Sequence, residues 1–260
     1  MTAEEKIAKV KDFRPIDDVF FEVLAEDKEV CEEILRTILE DDKLTVEDVI
    51  VQGSKKNIYG RSVRLDALCI LGNGSKCNIE VQRADNDDHL RRARFNAASI
   101  TVKDSEPGER FENILDLYIV YISEFDFLKG GLTIYHVDKT IRENGQTIDD
   151  GLHEIFVNTA IDDGSDIAKL MSCFEKKEVK SDRFPKLTRR VTELKTTEGG
   201  ASTVCEVMQR YENQAVLSTL FSLVKKGLLT LSDAAKEARL SEEDFETQMY
   251  IANAKNDSKQ

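Results

Sequence analysis

The chain has 260 residues, 40% of them hydrophobic, which is enough for one large domain or a core with a small appendage and too apolar for wholesale disorder. Its net charge of −13 argues against a protein that coats nucleic acid, since phosphate binding needs local positive charge, but leaves room for an acidic pocket with a basic rim. No apolar run approaches the ~20 residues of a membrane span, "MTAEEKIAKVKDF" lacks the apolar centre of a signal peptide, and Cys31, Cys69, Cys77, Cys173 and Cys205 form no CxxC pair, so a cytoplasmic protein with buried free thiols is expected.

Pro15 precedes "IDDVFFEVL", where Val19, Phe20, Val23 and Leu24 recur at helical spacing and Asp17 or Asp18 is available as a cap. Val30, Ile34, Leu35, Ile38 and Leu39 mark a second amphipathic helix. "NIYGRSVRLDALCIL" and "KCNIEVQR" then flank "GNGS", and an Asn-Gly turn between strand-like runs predicts a hairpin. Residues 87–103 read as a helix through Leu90, Ala93, Arg94, Ala97 and Ala98. The β-branched and aromatic run "ILDLYIVYIS" predicts a strand covered on both faces, and "GLTIYHVDK" and "LHEIFVNTA" predict two more.

From Val204 onward, Val207, Met208, Tyr211, Ala215, Phe221 and Val224 keep helical phase up to Gly227, a plausible C-cap. Two short helices follow, with Ser232 and Ser241 as candidate N-caps. The order predicts a mixed α/β core over residues 1–200 and a helical extension over 201–260. Charge is uneven: residues 1–50 hold sixteen acids and seven bases, whereas residues 175–195 hold eight bases and four acids. The basic stretch is expected to be a solvated surface segment.

The hairpin carries the chemistry. Strand side chains alternate, so Asn78, Glu80 and Gln82 share one face, and pairing brings Asp66 toward Glu80 from a neighbouring strand. Two carboxylates held that close repel one another, and either one pKa rises or a cation relieves both. An all-oxygen donor set favours magnesium or manganese, an ion able to activate water and stabilise charge on a phosphate. The plainer alternative is an exposed cross-strand arrangement in which Asp66 and Glu80 pair with Arg64 or Arg83. His89, His136 and His153 form no HxxxH pair and are expected to be surface or hydrogen-bonded residues, with His89 nearest the site. The tail "LTLSDAAKEARLSEEDFETQMY" has the rhythm of a helix-turn-helix, but Glu242, Glu243, Asp244 and Glu246 would repel DNA phosphates, so packing or homo-oligomer assembly is expected of it.

Asp66 followed after thirteen residues by Glu80-Val81-Gln82 resembles the metal site of the PD-(D/E)XK nuclease superfamily. Taken with "FRPIDDVFFEVLAEDKEVCEEILRTIL" and "RRARFNAAS", it is similar to the PD-(D/E)XK nuclease family transposases, relatives of the recombination-promoting nucleases, over roughly residues 13–125. The resemblance implies a restriction-endonuclease-like fold and a magnesium-dependent (or manganese-dependent) DNA endonuclease linked to transposition or recombination. Asp66, Glu80 and the Val81 carbonyl would hold the metal. Asp17, or alternatively Asp18, matches the acidic position of the first helix, and Arg92 and Arg94 fall where the family has arginine for phosphate contact. Gln82 would orient water or phosphate in place of the superfamily's usual lysine, without its charge. Phe21 and the Phe95-Asn96 pair are further departures from the pattern. A nuclease-fold module that binds nucleic acid or a protein partner with little catalysis is the alternative reading.

Overall fold

The computed structural model describes residues 2–51, 54–55, 63–86, 88–105, 107–108 and 110–257, with backbone alone at 54–55, 63–64 and 253–257. Three helices come first: α1 (Ala3–Val10), α2 (Asp18–Leu24) and α3 (Lys28–Ile38). The strands β1 (Val46–Val51), β2 (Ala67–Leu71) and β3 (Lys76–Gln82) precede α4 (His89–Asp104). Next come β4 (Leu117–Ser123), β5 (Ile134–Val137) and β6 (Leu152–Asn158). Helices α5 (Asp166–Phe174), α6 (Pro185–Thr196), α7 (Glu198–Lys225), α8 (Leu231–Glu237) and α9 (Glu242–Asp257) complete the described chain. The six strands form one mixed sheet in the order β1-β2-β3-β4-β6-β5. Its centre is parallel (β3 with β4, β4 with β6) and its flanks are antiparallel. A mixed sheet flanked by helices is the restriction-endonuclease-like α/β architecture that the sequence predicts.

Composition explains the layering. "LYIVYIS" is buried along nearly its whole length, as a central parallel strand covered by helices requires. On one face of the sheet, Cys69 and Cys77 are register partners, and the Cys31 thiol of α3 packs onto Cys69. All five cysteines are buried free thiols. The other face carries Asn78, Glu80 and Tyr121 beneath α4, where Tyr121 bonds His89 of that helix. The hairpin turns at Gly74 with φ of +86°, a conformation glycine adopts without steric cost, while the Asn73 side chain accepts from the Ser75 N–H at 3.0 Å. Residues 57–62 of the predicted first strand lie outside the described residues, and β2 starts at Ala67, so Asp66 stands one residue ahead of the strand.

The basic stretch lies at the surface as expected, and its bases are paired there. Arg189 pairs with Asp27 at 2.6 Å and Glu29 at 3.2 Å, Lys186 with Glu29 at 3.1 Å, and Lys177 with Asp12 at 2.8 Å. The acid-rich N-terminal helices and the base-rich α6 therefore neutralise each other across 150 or more residues of sequence. Glu33 strengthens this contact. Pro185 opens α6 and has no N–H, and Glu33 accepts from the next two, Lys186 N–H at 3.1 Å and Leu187 N–H at 2.9 Å. A carboxylate from another helix thus caps α6, whose own N-cap residue, Phe184, has no side-chain acceptor.

The described residues divide into two compact units, with Val204 in the first and Cys205 in the second. The second contains the end of α7 with α8 and α9, packed around Leu220, Ala234, Ala235 and Phe245. Gly227, at φ +67°, ends α7 as predicted. The cap of α8 is Thr230, whose hydroxyl accepts from Asp233 N–H at 3.1 Å, so Ser232 lies inside the helix and is not its cap. Ser241 caps α9, accepting from Asp244 N–H at 3.0 Å. Among the described residues no helix is long and apolar enough to cross a membrane.

Candidate metal centre

Asp66 and Glu80 are pinned by each other's strands. The Val81 N–H donates to Asp66 Oδ2 at 3.0 Å, and the Asp66 N–H approaches Glu80 Oε1 at 3.4 Å. The reciprocal bonds arise because Asp66 continues the antiparallel register of Ala67 with Ile79, which sets it opposite Glu80. Glu80 is fully buried and Asp66 half-buried. Gln82 O accepts from Glu124 N–H on the β4 side at 2.9 Å, so the alternating carbonyl of Val81 is directed to the opposite side, that of Asp66.

Glu80 is held on three sides. Oε1 also accepts from Asn78 Nδ2 at 3.0 Å, and Oε2 accepts from Arg92 Nη2 at 3.2 Å. The other Arg92 amino group donates to Gln82 Oε1 at 2.6 Å, and Gln82 Nε2 donates onward to Ala84 O at 2.8 Å. Burial pushes the Asp66 carboxyl well above its ordinary value, the Glu80 charge adds to this, and the Val81 N–H opposes it. Burial likewise raises Glu80, against the pull of Arg92 and Asn78. The pair therefore resists carrying two negative charges, the electrostatic condition that a divalent cation relieves.

Asp17 and Asp18 have different surroundings. Asp17 ends its reach within its own loop and β3: Oδ2 accepts from Arg14 N–H at 2.6 Å, and Oδ1 pairs with Arg83 at 2.8 Å. Arg14 and Arg83 both also bind Glu124, closing a four-residue charge cluster beside the motif. Asp17 occupies the N-cap position of α2 without making a side-chain cap bond. Asp18, at the solvent-accessible start of the helix, lies in the field of the site: its charge raises Asp66, while Arg92 and Arg83 offset the partial desolvation that raises Asp18 itself. Arg92 and Arg94 also separate. Arg92 joins Glu80 and Gln82, whereas Arg94 is exposed and its charge acts on Glu154 of β6. Asn78 was readable from strand alternation as a neighbour of Glu80, and Tyr121, the β4 register partner of Glu80, was not.

The donors fit a hard cation. Two carboxylates and a main-chain carbonyl offer oxygen alone, a set suited to magnesium or manganese that retains several waters. Asn78 Oδ1, on the buried side chain that donates to Glu80, has no hydrogen-bond partner among the described residues. Among the described residues no three His, Cys, Asp or Glu side chains form a ready-made metal cage.

A family model described as PD-(D/E)XK nuclease family transposase matches residues 15–161, just over half of the chain and all of the site above. No curated protein and no solved structure shows a significant match.

Proposed function

The chain belongs to the PD-(D/E)XK nuclease family transposases, and on that premise we propose that it is a DNA endonuclease dependent on magnesium or manganese, hydrolysing phosphodiester bonds in transposition or recombination. The observation that carries this reading is the reciprocal pinning of Asp66 and Glu80 with Arg92 bridging Glu80 to Gln82.

Asp66, Glu80 and the Val81 carbonyl hold the ion. When bound, it supplies charge neutralisation and Lewis acidity for phosphodiester hydrolysis. Gln82 is fixed between Arg92 and the Ala84 carbonyl, and the second hydrogen of its Nε2 is the group left to orient water or phosphate. Arg92 contributes the cationic charge that Gln82 lacks and steadies the phosphate oxygens. Arg94 serves as an outer phosphate contact. Asp18, whose charge already reaches Asp66, fills the acidic position of the first helix. Asp17 keeps α2 and β3 in register through Arg83.

Nicking of supercoiled plasmid tests the proposal. Wild type nicks in magnesium or manganese and is silent in chelator, and Asp66→Asn lowers the rate about 100-fold or more, the scale of losing several kcal/mol of electrostatic stabilisation. Gln82 carries no charge, which favours the second reading of a binding module. That reading prevails where wild type and Asp66→Asn bind DNA equally and neither nicks it in any divalent metal.

A further inference from the structure

His89 is nearly fully buried at the first turn of α4, yet both ring nitrogens are engaged. Nε2 lies 3.0 Å from Asp85 Oδ1 and Nδ1 lies 2.9 Å from the Tyr121 hydroxyl. The rings of Phe125 and Phe127 pack against the imidazole with centroids 5.1 Å and 5.0 Å away. The partners fix the proton positions. An ionised carboxylate only accepts, so Nε2 carries the hydrogen and donates to Asp85. In the neutral imidazole Nδ1 is then the acceptor, and Tyr121 donates its O–H to it. With its proton committed to His89, the Tyr121 oxygen presents only lone pairs to its remaining surroundings.

Those surroundings include Arg92. Tyr121 is the register partner of Glu80, the residue Arg92 binds, and Arg92 stands three residues after His89, one turn along the same face of α4. Burial lowers the Arg92 pKa and the Glu80 carboxylate beside it raises it, and Tyr121 is the next group near enough to act on it. Resting on the nuclease reading for its consequence, we propose that His89 is a positioning residue. Through Asp85 and Tyr121 it locks the first turn of α4 onto β4 and so fixes the Arg92 guanidinium between Glu80 and Gln82. Farther along α4, Asn96 and Ile100 are buried and Asp104 pairs with Lys76 of β3 at 2.6 Å, but next to Arg92 the buried neighbour is the small Ala93, so His89 is the anchor of the first turn.

His89→Phe keeps the packing against Phe125 and Phe127 and removes both hydrogen bonds. Tyr121→Phe deletes one oxygen and carries the same test should His89→Phe fail to fold. The readout is the arginine side-chain N–H resonance of Arg92 in ¹⁵N-labelled protein, identified by its loss in Arg92→Lys. In wild type it is separate and sharp. In His89→Phe or Tyr121→Phe it collapses toward the exposed arginines, and plasmid-nicking kcat/KM falls about 10-fold. An Arg92 resonance unmoved in a folded variant overturns the inference, whatever the nicking rate. A wild type that nicks no DNA, with an Arg92 resonance that still follows His89, sinks the nuclease reading and leaves the coupling standing.

Discussion

One Arg92 guanidinium spans two motif residues, donating to Gln82 Oε1 at 2.6 Å and to Glu80 Oε2 at 3.2 Å. The helix thus brings a cation against the position where the resemblance leads one to expect lysine, and glutamine, with an acceptor for Arg92 and a donor for Ala84 O, accommodates it. Restoring the lysine should therefore harm the protein. Gln82→Lys sets an ammonium against Arg92, costing roughly 1 kcal/mol, or a Tm lower by about 2–4 °C, and nicking does not rise. Arg92→Gln in the Gln82→Lys background recovers stability. Thermal melts of the three variants check this, and a Gln82→Lys protein more active than wild type would contradict it.

The carboxylate pair makes stability depend on pH and metal together. Asp66 and Glu80 both titrate above their ordinary values in the folded chain. Folded protein therefore holds protons that the unfolded chain releases near pH ~4, and stability falls as pH rises from there through the raised values. A divalent ion favours the ionised pair, so the stabilisation it gives should grow with pH. Melting with and without manganese at pH 5.5 and pH 8 should show the larger Tm increment at pH 8, and Asp66→Asn should flatten the difference.

The two acids at the head of α2 should separate in their effects. Asp17→Asn loosens the ion pair to Arg83 and the charged acceptor for Arg14 N–H, a network buried at Asp17 and half-exposed at Arg83, whose loss costs about 1 kcal/mol. Asp18→Asn leaves those contacts alone and should lower manganese affinity measured by calorimetry, with little change in urea midpoint. The reverse pattern would return the acidic role to Asp17.

How much of this was readable in the chain follows the range of each interaction. The β4 run, the Gly74 turn, α4 and the opposition of Asp66 to Glu80 depend on alternation and turn chemistry within a few residues, and the sequence shows them. The α1 helix and its capping box of Thr2 with Glu5 are equally local, yet they were not among the predicted elements. Thr230 and Ser232 are both plausible caps two positions apart, and only the backbone decides between them. Glu33 capping α6 spans 153 residues, and no local pattern announces it. The burial of His89 is likewise tertiary, because the residues around it come from β4 and the segment after it.

The pairing of α6 with the acidic helices predicts an asymmetry. Its exposed pairs contribute ~0–1 kcal/mol each, so Arg189→Gln should barely move the urea midpoint. Glu33→Ala removes an acceptor from two helix N–H groups at once and should cost about 1–2 kcal/mol. Since Arg189 and Lys186 are already neutralised by Asp27 and Glu29, their removal should leave affinity for a short DNA duplex within about twofold, unlike Arg92→Ala. A large loss of DNA binding in Arg189→Gln would make α6 part of the substrate surface.

Lys195 gives the alkaline counterpart. From α6 its ammonium reaches the main-chain carbonyls of Lys11, Phe13 and Lys177 and lies 5.1 Å above the Phe20 ring centroid. Burial pulls its pKa down to about 8, against the opposing charges of Asp17, Asp12 and Glu178. The unfolded lysine keeps its proton to about 10.5, so between about 8 and 10.5 the unfolded chain binds more protons and stability rises with pH. Below about 8 the desolvation cost is fully present. Urea midpoints measured from pH 7.5 to 10 should climb over this window. Lys195→Met should abolish the climb and, by leaving three carbonyls without their shared donor, lower the midpoint at pH 10 relative to wild type. A slope that survives in Lys195→Met would assign the titration to another group.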